Sequence, residues 1–591
     1  MDVTKAVQNY LNKMITEVTG MKVLLMDAET TSIISMVMTQ TQLLQREVYL
    51  IDRVDNTQRE KMRHLKCICF VRPTGESVQA LVEELRDPRL VLLYRDLADF
   101  SNTLKKSDIE RLAEVDENEV VREIQEYYAD FLSINPELFH LNVSAPSHPL
   151  FVENLSTWDT RTFSRVTEGI LAMLLALKKK PLIRYEKSSA LARKLASELS
   201  YQIQQEGPLF DFRRPDTAPI LLIMDRRNDP VTPLLLQWTY QAMVHELIGI
   251  TNGRVDLSGL PDVRPEMREV VLNPEQDSFY RKSMYLNMGD LGSNIKSYVD
   301  EYQTKHKSSA QVESITDMKK FVEDYPEFRK LSGNVTKHVT LVGELSRQVG
   351  RGHLMEVGEL EQSLAVNDNH TQDLKTLRAM VERTDIPEDA RIRLTLLYAL
   401  RYEKSPQNAT PQLLDILARS GVSDKKIALV GHVLQYAGAD QRLGEDLFSN
   451  NNVFSRTKNA FKGLQGVENV YTQHVPHLVE TLQECIKGKL RDQLYPFIEG
   501  ASRDKPQDII VFMIGGATYA EAHEINKLNA QHPAVRIVLG GTSVHNSQSF
   551  LKEAAESVGR WGGASGKNNS NTGGKENDPQ AERVKSNRIG A

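Results

Sequence analysis

The densest run of groups able to do chemistry is Asp225-Arg226-Arg227-Asn228-Asp229, directly after the apolar stretch 220–224. Two carboxylates so close could form an acid–base pair, but two arginines lie between them, and this alternation of sign reads as ion pairs at a surface or between domains. Metal chemistry would need ligands at matching spacing. His245-Glu246 and His523-Glu524 each lack the second histidine that zinc on a helix requires, and His474 with His477 has no carboxylate or thiolate beside it. Cys67 and Cys69 would share one face of a strand, yet this pair supplies neither a disulfide framework nor a zinc site. They read as small buried apolar residues in a reducing compartment.

Phosphate chemistry fares no better. Gly350 and Gly352 begin a dinucleotide fingerprint, but Met355 stands where the third glycine belongs and no strand precedes them. The stretch 562–568 has glycine spacing one short of a phosphate loop and Asn568 in place of Ser or Thr. Gly515-Gly516 falls between a strand and a helix, where anions bind, but without a neighbouring lysine it reads as a tight turn or a close approach. Asp27, just after the first strand candidate, has no phosphate loop beside it and reads as structural. There is no Gly-x-Ser-x-Gly elbow. Catalysis has no support in the sequence, and neither a metal nor a cofactor is expected.

The elements that would carry these residues are clearer. In 591 residues, 40% are hydrophobic and 26% charged, which suits several globular domains, and the net charge of −6 offers no basic field for nucleic acid. The longest uncharged apolar helix candidate, 169–177, is far short of the about 20 residues that span a bilayer. The start MDVTKAVQNYLNKMI lacks a signal-peptide core, and no lipidation signal is present. The expectation is a cytosolic monomer that meets membranes only through partners.

Stretches 22–26, 48–51, 67–71 and 91–94 are strand-like and a fifth strand falls near 121–128. Helical stretches at 30–45, capped by Thr30 or Thr31, and at 77–85 complete a small doubly wound parallel sheet. Residues 218–247 then spell strand, polar turn, helix, and the same grammar returns at 508–516 and 535–541. The text between them is mostly helical, with loops at 253–264, 305–311, 368–370 and 441–455. The expected fold class is α/β: an N-terminal domain over 1–135, a discontinuous second α/β domain over 136–248 and 482–559, and an inserted, mostly helical third domain over 249–481. Its helical hairpin spans about 295–355. The tail 560–591, rich in Gly, Asn, Ser and charge, is expected to be disordered.

Asp225-Arg226 with Asp229-Pro230, Pro233 and Gln241-Ala242-Met243 forms one part of a longer pattern. Pro181-Leu182-Ile183-Arg184-Tyr185, Glu361-Gln362-Ser363-Leu364-Ala365, the stretch 509–516 and the start MKVLLMDAETTSIISMVMTQTQLLQREVYLIDRVDN are the others. Together these resemble the SM (Sec/Munc) family of SNARE-binding proteins, and within it the vacuolar protein-sorting branch of the trans-Golgi network and endosomes. The resemblance covers about 1–559. It implies an arch-shaped, three-domain, non-enzymatic protein that binds a syntaxin and its cognate SNAREs and promotes or templates their four-helix assembly in vesicle fusion.

It also implies sites. Family members take the syntaxin N-terminal peptide in a pocket with an apolar floor and an acidic rim, here Ile109 and Leu112 at helical spacing and Ile124 and Glu126 on one strand face. Glu126 stands at the acidic position that receives the peptide's arginine. One peptide leucine or phenylalanine buried there would contribute about 1.5–3 kcal/mol before costs. The second site is the hairpin. Pro326 must kink a helix or restart it, and beyond it Phe328, Leu331, Val335, His338, Val342 and Leu345 form a coiled-coil-like stripe on a helix of about 36 Å. Part of that stripe packs against the preceding helix. Pro326 matches the family's hinge proline and Val339 its apolar position for the vesicle SNARE. A weaker third contact, with the syntaxin bundle, is the basic group Arg53, Arg59 and Arg63, otherwise a solvated face. The rivals are a nucleotide-binding enzyme on the doubly wound sheet, which calorimetry with ATP, GTP and NAD would reveal, and a passive scaffold without syntaxin selectivity.

Overall fold

The computed structural model describes residues 1–56, 58–59, 62–86, 90–97, 106–152, 154–261, 263–310, 315–442, 470–502 and 504–565. Its first sheet contains β1 (Lys22–Met26), β2 (Val48–Arg53), β3 (Met62–Phe70), β4 (Leu90–Leu97) and β5 (Ile124–Glu126) in the order β2-β1-β3-β4-β5, every pair parallel. The period of two explains why both faces must be covered. Val23 and Leu25 on β1 and Cys67 and Cys69 on β3 point into a core shared with Val78, Leu81 and Val82 of the Gly75–Arg86 helix. Leu24, Met26, Ile68 and Phe70 point the other way, into the large core that continues through the second sheet.

That second sheet runs β6-β7-β14-β12-β9-β8. It is built from β6 (Leu132–Asn135), β7 (Leu138–His140), β8 (Leu182–Tyr185), β9 (Ile220–Asp225), β12 (Asp508–Ile514) and β14 (Arg536–Gly541). All its pairs are parallel except the β6–β7 hairpin. Every residue of β9 and β12 is buried, and Ile510 pairs with Leu221 on one side and Val538 on the other. Two strands far apart in sequence are thus direct neighbours, and the helical section between them loops out of the sheet. A small hairpin of β10 (Arg254–Asp256) and β11 (Glu269–Val271) and the short pair β13 (Ala517–Thr518) and β15 (Val544–His545) complete the strands.

Several local expectations are revised. β6 joins the second sheet, whereas the sequence places residues 132–135 in the first domain. The 30–45 helix begins one turn earlier on an Asp27 cap and breaks after Val37, where Thr39 starts a new helix in a reciprocal cap with Gln42. The 253–264 loop contains β10, and the helix Met288–Ala310 continues through most of the loop expected at 305–311. The final helix, Ser547–Ser565, extends past the expected start of the tail, and the remainder of the tail, 566–591, lies outside the described residues.

Candidate functional site

The conspicuous charges of the 225–229 turn are buried, not at a surface. Arg226 is 0% exposed; it donates from Nη2 to Glu521 Oε2 at 2.5 Å, from Nε to the Gly516 carbonyl at 3.0 Å and from Nη1 to the Asp229 carbonyl at 3.1 Å. Arg227 holds Asp225 through two bonds of 3.0 and 2.6 Å, and Asp229 accepts from the Thr232 hydroxyl at 2.6 Å. Burial pushes the Asp225 carboxyl up, but Arg227 outweighs it and the group stays below the usual range. The turn ties the end of β9 to the helix Tyr519–Gln531 and carries no free acid or base. The two glycines next to it have a steric role. Gly515 and Gly516 have φ of +81° and +92°, and a Cβ on Gly516 would meet the His545 ring at 2.2 Å.

The other motif residues are also structural. Glu361 accepts Arg393 at 2.9 Å and the Leu236 amide at 2.8 Å, and Gln362 accepts the amides of Gln473 and His474 at 2.9 and 2.7 Å. Asp27 takes the Arg72 amide at 2.7 Å and the Ser77 hydroxyl at 3.0 Å besides capping its helix. Among the described residues no cluster of His, Cys, Asp and Glu could hold a metal ion, and no helix is long and apolar enough to cross a membrane.

Ile109 on the helix Lys106–Val115 and Ile124 on β5 are exposed, at 41% and 38%, and Glu126 is exposed with its carboxylate accepting the Tyr128 hydroxyl at 3.0 Å. Ile124 and Glu126 are alternate residues of the edge strand β5. Leu112 differs from expectation: it is 2% exposed and packs in the core with Val78 and Leu81. Three helical steps rotate a side chain by about 60° from its predecessor, enough to put Leu112 inside while Ile109 stays at the boundary.

The hairpin pairs the helix Met288–Ala310 with the long helix Ile315–Arg351. The long helix runs on through Pro326 without restarting; the side chains of Pro326 and Phe328 lie outside the description. Most of the expected partner stripe faces inward. Val335 is 7% exposed, His338 and Leu345 are 0%, and Leu331 and Val342 are half-buried. His338 is the largest departure. Its Nε2 bonds Asp277 at 2.8 Å, its Nδ1 meets the Tyr240 hydroxyl at 2.8 Å, and its ring packs tilted at 45° against Phe279, centroids 4.6 Å apart. Burial lowers its pKa despite the carboxylate, so the ring is neutral at pH 7. Lys337 Nζ reaches the same carboxylate at 2.5 Å. Burial opposes its charge, yet His338 and Lys337 hold the Asp277 carboxyl well below the usual range. This clamp, absent from the sequence reading, had one signal: Asp277 precedes Ser278-Phe279-Tyr280 as an N-cap. Between the clamped residues and the rest of the helix, Val339 is 44% exposed, with Thr336 and Gly343 exposed on either side.

The basic group also divides. Arg53 is exposed and pairs with Asp55 at 2.6 Å, whereas Arg59 is 7% exposed and bonded to Asp52, Glu84 and the Arg53 carbonyl. Arg59 therefore organises its own loop, because a buried guanidinium needs several acceptors. Arg63 lies on β3, its side chain outside the description.

Two mainly parallel sheets with a helical section looping out between neighbouring strands, and exposed apolar residues at the first sheet's edge, on the helix beside it and on the hairpin, define a scaffold for protein partners. The chain belongs to the Sec1 family, whose model matches residues 22–553. It is similar to vacuolar protein sorting-associated protein 45 of Rattus norvegicus, 50% identical over 560 residues covering 94% of this chain and 96% of that protein. The Schizosaccharomyces pombe protein of the same name is 46% identical over 94% of this chain and 98% of its own. A solved structure titled SM protein Vps45 in complex with Qa SNARE Tlg2 (1-310) superimposes with a TM-score of 0.89 at 54% identity, over 95% of this chain and 99% of that one.

Proposed function

We propose that this protein is a non-catalytic SM-type regulator that binds a syntaxin of the trans-Golgi network or endosome and assists assembly of its SNARE complex in vesicle transport. The observation that carries the reading is the likeness, at TM-score 0.89 over 95% of the chain, to a relative solved with a Qa SNARE. In this reading the exposed Ile109, Ile124 and Glu126 take the syntaxin N-terminal peptide, and Val339 with its exposed flank on the long helix meets a SNARE helix. Leu112, Val335 and His338 support those surfaces from behind. The units are the three named above with β6 moved to the second and the final helix included in it, 1–131, 132–248 with 482–565, and 249–481, and the protein reaches Golgi and endosomal membranes through its partners.

The test is a pull-down against a panel of syntaxins, full-length and N-terminally truncated. Selective capture of one trans-Golgi or endosomal syntaxin, weakened by truncation, is expected. Equal capture of all of them, or of none, rejects the proposal.

A further inference from the structure

A cleft of about 370 Å³ opens where the 186–188 turn at the carboxyl end of β8 meets the helix His477–Ile486 and the segment 489–495. The segment is fixed to the edge strand. The Lys187 amide donates to the Leu494 carbonyl at 2.9 Å and the Ile498 amide to the Ile183 carbonyl at 3.0 Å, while Arg184 donates to the carbonyls of Tyr495 and Leu490 at 2.8 and 3.0 Å. Tyr495 is buried beneath, its hydroxyl 3.3 Å from Thr481 Oγ1.

Apolar walls lead to carboxylates. Leu490 and Leu494 are half-buried, and Glu186, 6% exposed, lines the cleft while accepting the Asp225 amide at 2.9 Å. Burial, its leading influence, pushes the Glu186 carboxyl up. Glu480 and Glu484 stand one turn apart on the helix face that lines the same space. Glu484 reaches Lys487 at 3.1 Å, whereas Glu186 and Glu480 have no basic partner at ion-pair distance among the described residues. A group set against Glu186 and Glu480 meets carboxylates with no ion pair and is favoured if cationic, and a wholly apolar ligand would strip water from Glu480 without replacing it. An aliphatic stem with a cationic head matches both the walls and the carboxylates. Lys187 and Lys489 are exposed around the cleft and complement an acidic residue next to that stem.

We propose that this cleft, whose lining shares no residue with the surfaces proposed above, binds the lysine or arginine side chain of a partner peptide, with an acidic neighbour held by the surrounding cations. The test is calorimetry and saturation-transfer NMR on the full chain with N-acetyl-Arg-Asp-amide, against the citrulline analogue that keeps the shape and loses the charge. Saturable binding is expected for the arginine probe. It should weaken about tenfold with citrulline and about tenfold in Glu480→Gln, the equivalent of one charge-assisted hydrogen bond. Glu359→Gln, exposed on another helix, should leave it unchanged. A melting curve checks that Glu480→Gln is folded. No saturable binding, equal binding of the citrulline probe, or indifference to Glu480→Gln overturns the site. Unchanged binding in Lys489→Gln overturns the role of the acidic neighbour.

Discussion

The 225–229 turn and the middle of the Ile315–Arg351 helix both bury arginine, lysine or histidine against carboxylates, yet they leave opposite things at the surface. In the turn every charged group closes on another or on a backbone carbonyl, Arg226 is 0% exposed, and the result is a joint between β9 and the Tyr519–Gln531 helix. In the helix, Lys337 and His338 close on Asp277 in the same way, but the next residue, Val339, is 44% exposed. The lesson is that groups conspicuous for their chemistry can be wholly structural, while a plain aliphatic residue beside such a group carries the exposed surface. The clamp fixes how the helix is rotated, and rotation decides which side chain faces out.

Breaking the turn should have the largest effect. Arg226→Met leaves Glu521 buried without its cation and is expected to cost about 3–5 kcal/mol in denaturant unfolding. The double variant Arg226→Met with Glu521→Leu should recover most of it, and failure to recover would mean that the backbone bonds of Arg226 matter more than its ion pair.

Breaking the clamp comes next. Asp277→Asn leaves Lys337 buried without its anion, an expected loss of about 2–3 kcal/mol. Because the folded Asp277 carboxyl lies below its unfolded value, its contribution is full above the ordinary carboxylate range, about pH 4, and is lost as pH falls through the folded value. The variant should thus lose part of the wild-type drop in stability below about pH 4, followed by thermal melts at each pH; an unchanged acid limb would count against the clamp.

Val339→Asp separates surface from support. Its stability should stay within about 0.5 kcal/mol of wild type, while capture of a SNARE helix falls about tenfold or more, as for an anchor residue at an interface. Unchanged SNARE assembly would remove this face from the proposed function. The smallest effect is expected at Glu126→Lys on the first sheet, where reversal of one exposed charge should weaken a syntaxin N-terminal peptide by several-fold and more at low salt, read by fluorescence anisotropy.

Much of this was legible in the residues. The apolar runs of β1, β9 and β12 require cover on both faces, and their recurrence across a helical stretch announces a sheet interrupted in sequence. The stripe Val335, His338, Val342, Leu345 was legible as a stripe too, but not the side of the helix it would face. A three-and-four repeat is equally compatible with a partner helix or with the chain's own core. Leu112 and Arg59 posed the same ambiguity in smaller form, one decided by a rotation of about 60° around a helix and the other by the acceptors that a folded loop gathers around a guanidinium.

Local spacing, then, was enough to announce most of the strands and helices and the discontinuous sheet, because periodicity and turn chemistry act over a few residues. Which charges would meet was settled only in three dimensions: Arg226 finds Glu521 and His338 finds Asp277 across long stretches of chain, distances no spacing rule spans. Exposure followed from the same closure, since a side chain is left to a partner only where the rest of the fold has not already covered it.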